Sequence, residues 1–131
     1  MNHTELMARA QAARSHSYCP YSHYAVGAAL LCADGTVYEG CNVENSSYTP
    51  TICAERVAFF KAIYDGKRAF TAIAICGGEE GKETKTCTPC GVCRQVMSEF
   101  CGPDFEVIMS TGPDTFMVKK FKDLLPYSFE L

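Results

Sequence analysis

Two short cysteine motifs, Cys53-Ala54-Glu55 and Pro89-Cys90-Gly91-Val92-Cys93, constrain this chain more than any other feature. Each stands at the mouth of a predicted helix: the first opens Ala54-Glu55-Arg56-Val57-Ala58-Phe59-Phe60-Lys61-Ala62-Ile63-Tyr64, the second a helix from about Gly91. A helix N-terminus carries partial positive charge and lowers the pKa of a thiol placed on it, which favours the thiolate, the form that binds metal. Three thiolates leave one position of a tetrahedral zinc ion open for water, the arrangement of a catalytic rather than a structural site. Glu55 lies two residues past Cys53, near enough to reach such a water and to move protons between it and a substrate. A fold for this chain must therefore bring two distant helix starts to one point.

The other cysteines narrow the chemistry. There are nine among 131 residues, an odd number that cannot pair completely and a share just below that of a disulfide scaffold. Cys19, Cys32, Cys41, Cys76 and Cys101 read as small core or surface thiols. Cys87 makes the run Cys87-x-x-Cys90-x-x-Cys93, which begins like an iron-sulfur motif but lacks a fourth cysteine three residues later. A structural zinc or iron-sulfur module would need Cys87 or Cys101 as fourth ligand and is the less favoured alternative. The N-terminus, Met1-Asn2-His3-Thr4-Glu5-Leu6, has neither the basic start nor the apolar run of a secretory signal, so the reducing cytoplasm is the expected location. Twelve Lys and Arg against 15 Asp and Glu give a net charge of -3, which lacks the basic footprint of a nucleic-acid binder. The longest apolar or small run, Ala25 to Ala33, falls far short of the roughly 20 residues that span a bilayer.

The order of elements reads α-β-β-α-β-α-β with a short tail, within one domain over residues 1–131. Leu6, Ala10 and Ala13 give a helix over 4–15 with Thr4 as N-cap. Ala25 to Cys32 and Thr36 to Cys41 read as strands joined by a two-residue Asp34-Gly35 hairpin turn. A helix closed by Gly66 follows, then a strand from Phe70 to Cys76 and a loop over 77–86. The next helix is spaced by Val92, Val96 and Phe100 and ends at Cys101-Gly102-Pro103. Phe105 to Met109 is a further strand, and 115–125 reads as a strand and a short helix ending before Pro126. A hairpin followed by β-α-β units points to an α/β fold, a three-layer α/β/α arrangement around a mixed central sheet. His3, His16 and His23 read as surface or loop residues without a role.

The motifs resemble those of zinc-dependent base deaminases, in which a His or Cys is followed by x-Glu and later by Pro-Cys-x-x-Cys. Within them the chain most resembles the small cytidine deaminases that act on free nucleosides, through Tyr24-Ala-Val-Gly-Ala-Ala-Leu, Gly40-Cys-Asn-Val-Glu-Asn, Cys53-Ala-Glu-Arg, Pro89-Cys-Gly-Val-Cys-Arg-Gln and Leu124-Leu-Pro-Tyr-Ser-Phe. The resemblance implies one Zn2+ per subunit on Cys53, Cys90 and Cys93, with Glu55 as the proton shuttle that protonates N3 as water adds at C4 and then supplies the departing amine. It implies Arg56 as the positive group offsetting three thiolates. It further implies Asn42 and Glu44 as a ribose clamp, with Glu44 repelling a 5′-phosphate, and the backbone of Ala54 and Thr88 as readers of the base's polar edge. Tyr24 stands where the family usually has Phe, against the base or sugar, and Ala25 stands where it usually has Pro. Tyr48 and Phe129 match site-lining aromatics, the latter reaching a neighbouring subunit's site in the family's homotetramers. The implied activity is hydrolytic deamination of cytidine and deoxycytidine in pyrimidine salvage. Blasticidin S, a nucleotide or guanine are alternative substrates that the same metal motifs would serve.

Overall fold

The computed structural model describes residues 1–131. A five-stranded sheet of order β2-β1-β3-β4-β5 forms its middle layer. In chain order the elements are α1 (His3–Arg14), β1 (Tyr24–Cys32), β2 (Val37–Cys41), α2 (Ala54–Tyr64), β3 (Phe70–Glu79), α3 (Gly91–Phe100), β4 (Glu106–Ser110), β5 (Phe116–Lys120) and α4 (Phe121–Leu124). β1 runs antiparallel to both β2 and β3, β3 and β4 are parallel, and β5 returns antiparallel to β4, so the sheet is mixed as expected.

Strand side chains alternate between the two faces, and the two faces are built differently. Ala29, Ala72, Ala74, Cys76 and Ile108 face α1, where Leu6, Met7 and Ala10 cover them. Four of these five strand residues are alanine or cysteine, so the helix lies close to the strands. A Cβ on Gly27 would come within 2.0 Å of the Ala10 carbonyl oxygen, so only glycine permits this approach. On the opposite face Leu30, Ile73, Ile75, Val107 and Met109 pack with Ala58, Phe59, Ala62 and Met97 of α2 and α3. Phe59 centres that side, 5.3 Å from the Phe70 ring in an edge-on arrangement and 6.1 Å from Phe100. Helices on both faces give the three layers.

Several local expectations change. The N-cap of α1 is Asn2, whose side chain accepts from Glu5 N while Glu5 reaches back to the Asn2 amide, a capping box that displaces Thr4 into the helix. The hairpin loop has three residues, Ala33 to Gly35: Cys32 N donates to the Thr36 carbonyl, and Gly35 takes a φ of 92°. β3 continues three residues past Cys76, because β1 begins at Tyr24 and its first residues need partners in Gly77, Gly78 and Glu79. In α3 the buried residues are Cys93 and Met97, whereas Val92 is exposed: the apolar spacing at Val92, Val96 and Phe100 lies to one side of the buried face. His3 lies within α1, half-buried, with Nε2 3.0 Å from Glu106.

Candidate metal centre and substrate cleft

The two cysteine motifs meet because each caps a helix on the same face of the sheet. Cys53 is the N-cap of α2 and Cys90 the N-cap of α3, both with extended backbone. α2 comes down tightly onto β2, where a Cβ on Gly40 would approach the Ala54 carbonyl oxygen to 2.3 Å. α3 is the crossover between the parallel strands β3 and β4, and Cys93 lies in its first turn. The three sulfurs lie within 4.8 Å of one another, and Cys53 and Cys90 Sγ are 3.7 Å apart. Zinc–sulfur bonds of about 2.3 Å at tetrahedral angles separate sulfurs by about 3.8 Å, so the cluster fits that ion. A fourth cysteine is not part of it.

The charges are arranged around this cluster. Arg56, one turn into α2, donates from Nη2 to Cys53 Sγ at 3.4 Å, while its Nε is buried without a partner. The Cys53 thiol is lowered to about 5, first by the Cys93 hydrogen bond and also, against the effect of burial, by Arg56. Cys93 is pushed up, because it is the donor in that bond and is buried. Glu55 is only 3% exposed, and burial raises its carboxyl to about 7, with the Cys53 charge adding to the shift. A carboxyl at that value can both accept and deliver a proton near neutrality.

The cluster opens into a cleft of about 440 Å³. Of the residues singled out in the sequence, Tyr24, Asn42, Glu44, Cys53, Ala54, Glu55, Thr88 and Cys90 line it; Cys93 lies beneath and Arg56 beside Cys53. The Ala54 N–H and the Thr88 backbone have no backbone partner. Asn42 and Glu44, by contrast, are already engaged. Asn42 Oδ1 accepts from Ser17 Oγ at 2.6 Å and Val26 N at 2.9 Å, and its Nδ2 donates to the Tyr24 carbonyl at 2.8 Å. Glu44 accepts from Tyr21 N at 3.0 Å, Ser22 N at 3.1 Å and the Ser22 hydroxyl, which holds its carboxyl below the usual range. Both residues thus hold the cleft's rim as well as facing it.

Tyr48 and Phe129 lie outside the cleft. Tyr48 is 75% exposed, with a φ of 64°, and borders a neighbouring depression with Tyr21, Glu44 and Asn45. Phe129 is 67% exposed on the C-terminal tail, which α3 secures through Gln95 to the Phe129 carbonyl and Arg94 to the Leu124 carbonyl. Ser22 and Cys87 were not singled out as site residues from the sequence, yet both line the cleft. Cys87 was legible as an extra thiol in the Cys-x-x-Cys run, whereas nothing in the sequence around Ser22 marked it.

Three clustered thiols, a fourth position open to a cleft and a buried carboxyl beside them define a class, zinc enzymes that activate water for hydrolysis. Residues 1–109 match the family model described as the cytidine and deoxycytidylate deaminase zinc-binding region. The chain is 46% identical over 129 residues to a cytidine deaminase of Sporosarcina psychrophila, covering 98% of this chain and 92% of that one. Its fold superposes with a TM-score of 0.90 on the crystal structure of cytidine deaminase from Burkholderia pseudomallei, at 46% identity, covering 98% and 100% of the two chains. Against cytidine deaminase from Mycobacterium tuberculosis the TM-score is 0.83 at 37% identity, covering 100% and 99%. The chain belongs to the cytidine deaminase family, whose matching region is described as zinc-binding, and Cys53, Cys90 and Cys93 form a cluster that could hold that ion.

Proposed function

We propose that residues 1–131 act as one catalytic domain that converts cytidine and deoxycytidine to uridine and deoxyuridine, consuming water and releasing ammonia. The observation that carries this reading is Glu55, a carboxyl 3% exposed and raised to about 7 at the floor of the cleft onto which the Cys53/Cys90 pair opens. Cys53, Cys90 and Cys93 would hold the zinc ion, which would supply the acidified water that such chemistry needs. Glu55 takes the proton from the attacking water, delivers it to ring N3 as C4 becomes tetrahedral, and carries the second proton to the departing amino group. Ala54 N–H and the Thr88 backbone bind the base's polar edge, while Asn42 and Glu44 take the sugar. Arg56 offsets the negative charge of the thiolates.

Glu44 also supports a nucleoside over a nucleotide, since its ionised carboxylate would repel a 5′-phosphate near the sugar end. The outward placement of Tyr48 and Phe129 supports a homotetramer in which neighbours complete each site. Nine cysteines outside any disulfide support the reducing cytoplasm as the compartment, where deamination of free nucleosides would serve pyrimidine salvage. The test is ammonia release from cytidine, deoxycytidine, CMP, guanine and blasticidin S, supplied separately to zinc-loaded protein of known mass in solution. Turnover of the two nucleosides by a tetramer is expected; release only from one of the other three would replace this reading.

A further inference from the structure

The Cys87 thiol has no place in the metal cluster, yet it lines the same cleft and is only 8% exposed. Its position is fixed from two sides: Cys87 N donates to the Ser110 carbonyl on β4 at 3.1 Å, and two residues earlier Lys85 N donates to the Gly77 carbonyl on β3 at 2.9 Å. Gly77 is where these constraints converge. A Cβ there would lie 2.8 Å from Cys87 Sγ, 3.1 Å from Tyr24 Cε1 and 3.1 Å from Val26 Cγ2. Thiol, tyrosine ring and valine therefore close over Gly77, a β3 position with no side chain. The Tyr24 ring is held further by Lys85 Nζ, 5.3 Å from its centroid. Tyr24, Val26 and Cys87 all line the cleft, so whatever sets their packing sets the position of that wall.

We propose that Gly77 and Cys87 are positioning residues that seat the Tyr24 ring against the sheet and so set the width of the substrate cleft. The inference rests on the deaminase reading above. Neither residue touches the reacting atoms. Their effect passes through Tyr24, and displacing a substrate-contacting wall by about an ångström costs roughly 10- to 100-fold in kcat/KM.

The test uses zinc-loaded, full-chain protein. Gly77→Ala forces Cys87 Sγ and the Tyr24 ring outward, and it is expected to raise KM for cytidine about tenfold or more while zinc stays at the wild-type level. Adding Cys87→Ala removes the tightest clash and is expected to return most of that loss. A general packing defect would show no such recovery. Should Gly77→Ala fail to fold, Cys87→Ala and Tyr24→Phe carry the test as a double-mutant cycle, whose effects on KM are expected to be non-additive because the two side chains share one seat. An unchanged KM in folded Gly77→Ala protein, a double variant no better than the single one, or strictly additive Cys87→Ala and Tyr24→Phe effects would overturn the proposal. Absence of cytidine turnover by the wild-type protein would instead remove the deaminase reading, so the two failures are distinct.

Discussion

The end of the cleft at the three cysteines, proposed to hold zinc (the zinc end), and the end at Glu44, proposed to take the sugar (the sugar end), are built on different principles. At the zinc end, Cys53 and Cys90 cap helices, Cys93 and Glu55 lie in first turns, and the helices are clamped to the sheet by Gly40 and the Phe59 cluster. At the sugar end, Tyr21 and Ser22 lie in the loop before β1 and Glu44 in the loop after β2, and His23, beside Ser22, takes positive φ. Hydrogen bonds from Ser22 and Tyr21 to Glu44 join the two loops, so a network of polar contacts there replaces regular structure. In the proposed function, chemistry that needs sub-ångström placement thus falls to helix starts on a sheet, and recognition to loops.

That difference can be broken first at the zinc end. Cys93→Ala removes the most buried ligand, and both zinc content and ammonia release from cytidine are expected to fall to background in metal analysis and a deaminase assay. At the sugar end the losses should be partial. Glu44→Gln removes the charge that three donors from Tyr21 and Ser22 hold, and it should raise KM about 10- to 100-fold with zinc unchanged, since hydrogen bonds to charged groups contribute about 1.5–3 kcal/mol. A fall in kcat with KM unchanged would place Glu44 in the chemistry instead. Phe129→Ala should raise KM only severalfold, about 1 kcal/mol of aromatic contact, and only if a neighbouring subunit's cleft receives the ring. Steady-state kinetics alongside solution mass would read both effects.

The smallest expected effect is a pH dependence confined to the sugar end. Glu44 is held below the ordinary carboxylate range, chiefly by the Ser22 hydroxyl, so folding favours its ionised form. Its contribution is complete above the unfolded value of roughly 4.3 and is lost as pH falls through the lower, folded value. Acidification below about pH 4 should therefore lower the unfolding temperature slightly more for the wild-type chain than for Glu44→Gln. Identical acid profiles for the two proteins would show that the carboxylate is not tied down as described.

The same contrast explains what the sequence made legible. Cys53, Glu55, Cys90 and Cys93 could be read because local rules place them: a helix start, a first turn and a fixed spacing put each side chain where its neighbours in sequence require. The continuous apolar and small run from Ala25 likewise marks β1 as a buried strand. Long-range geometry could not be read in that way. β3 runs on through two glycines only because β1 begins at Tyr24 opposite Glu79, and Val92 reads as core until α3 is seen to bury Cys93 and Met97 instead. Ser22 matters because Glu44, 22 residues away, folds back onto it. Cys87 was noticed for its spacing to Cys90, whereas its observed neighbours are Gly77 and Tyr24.

In the proposed function a buried carboxyl and a three-cysteine zinc site divide the work, with Glu55 moving protons and the thiolates holding the metal. The most direct measurement is zinc content and ammonia release from cytidine, taken together on the wild-type protein and on Glu55→Gln. One zinc per chain in both proteins is expected, with turnover in the variant reduced by about 10²- to 10⁴-fold, the range for a lost general acid–base group. Wild-type turnover in Glu55→Gln, or loss of zinc from it, would contradict the account.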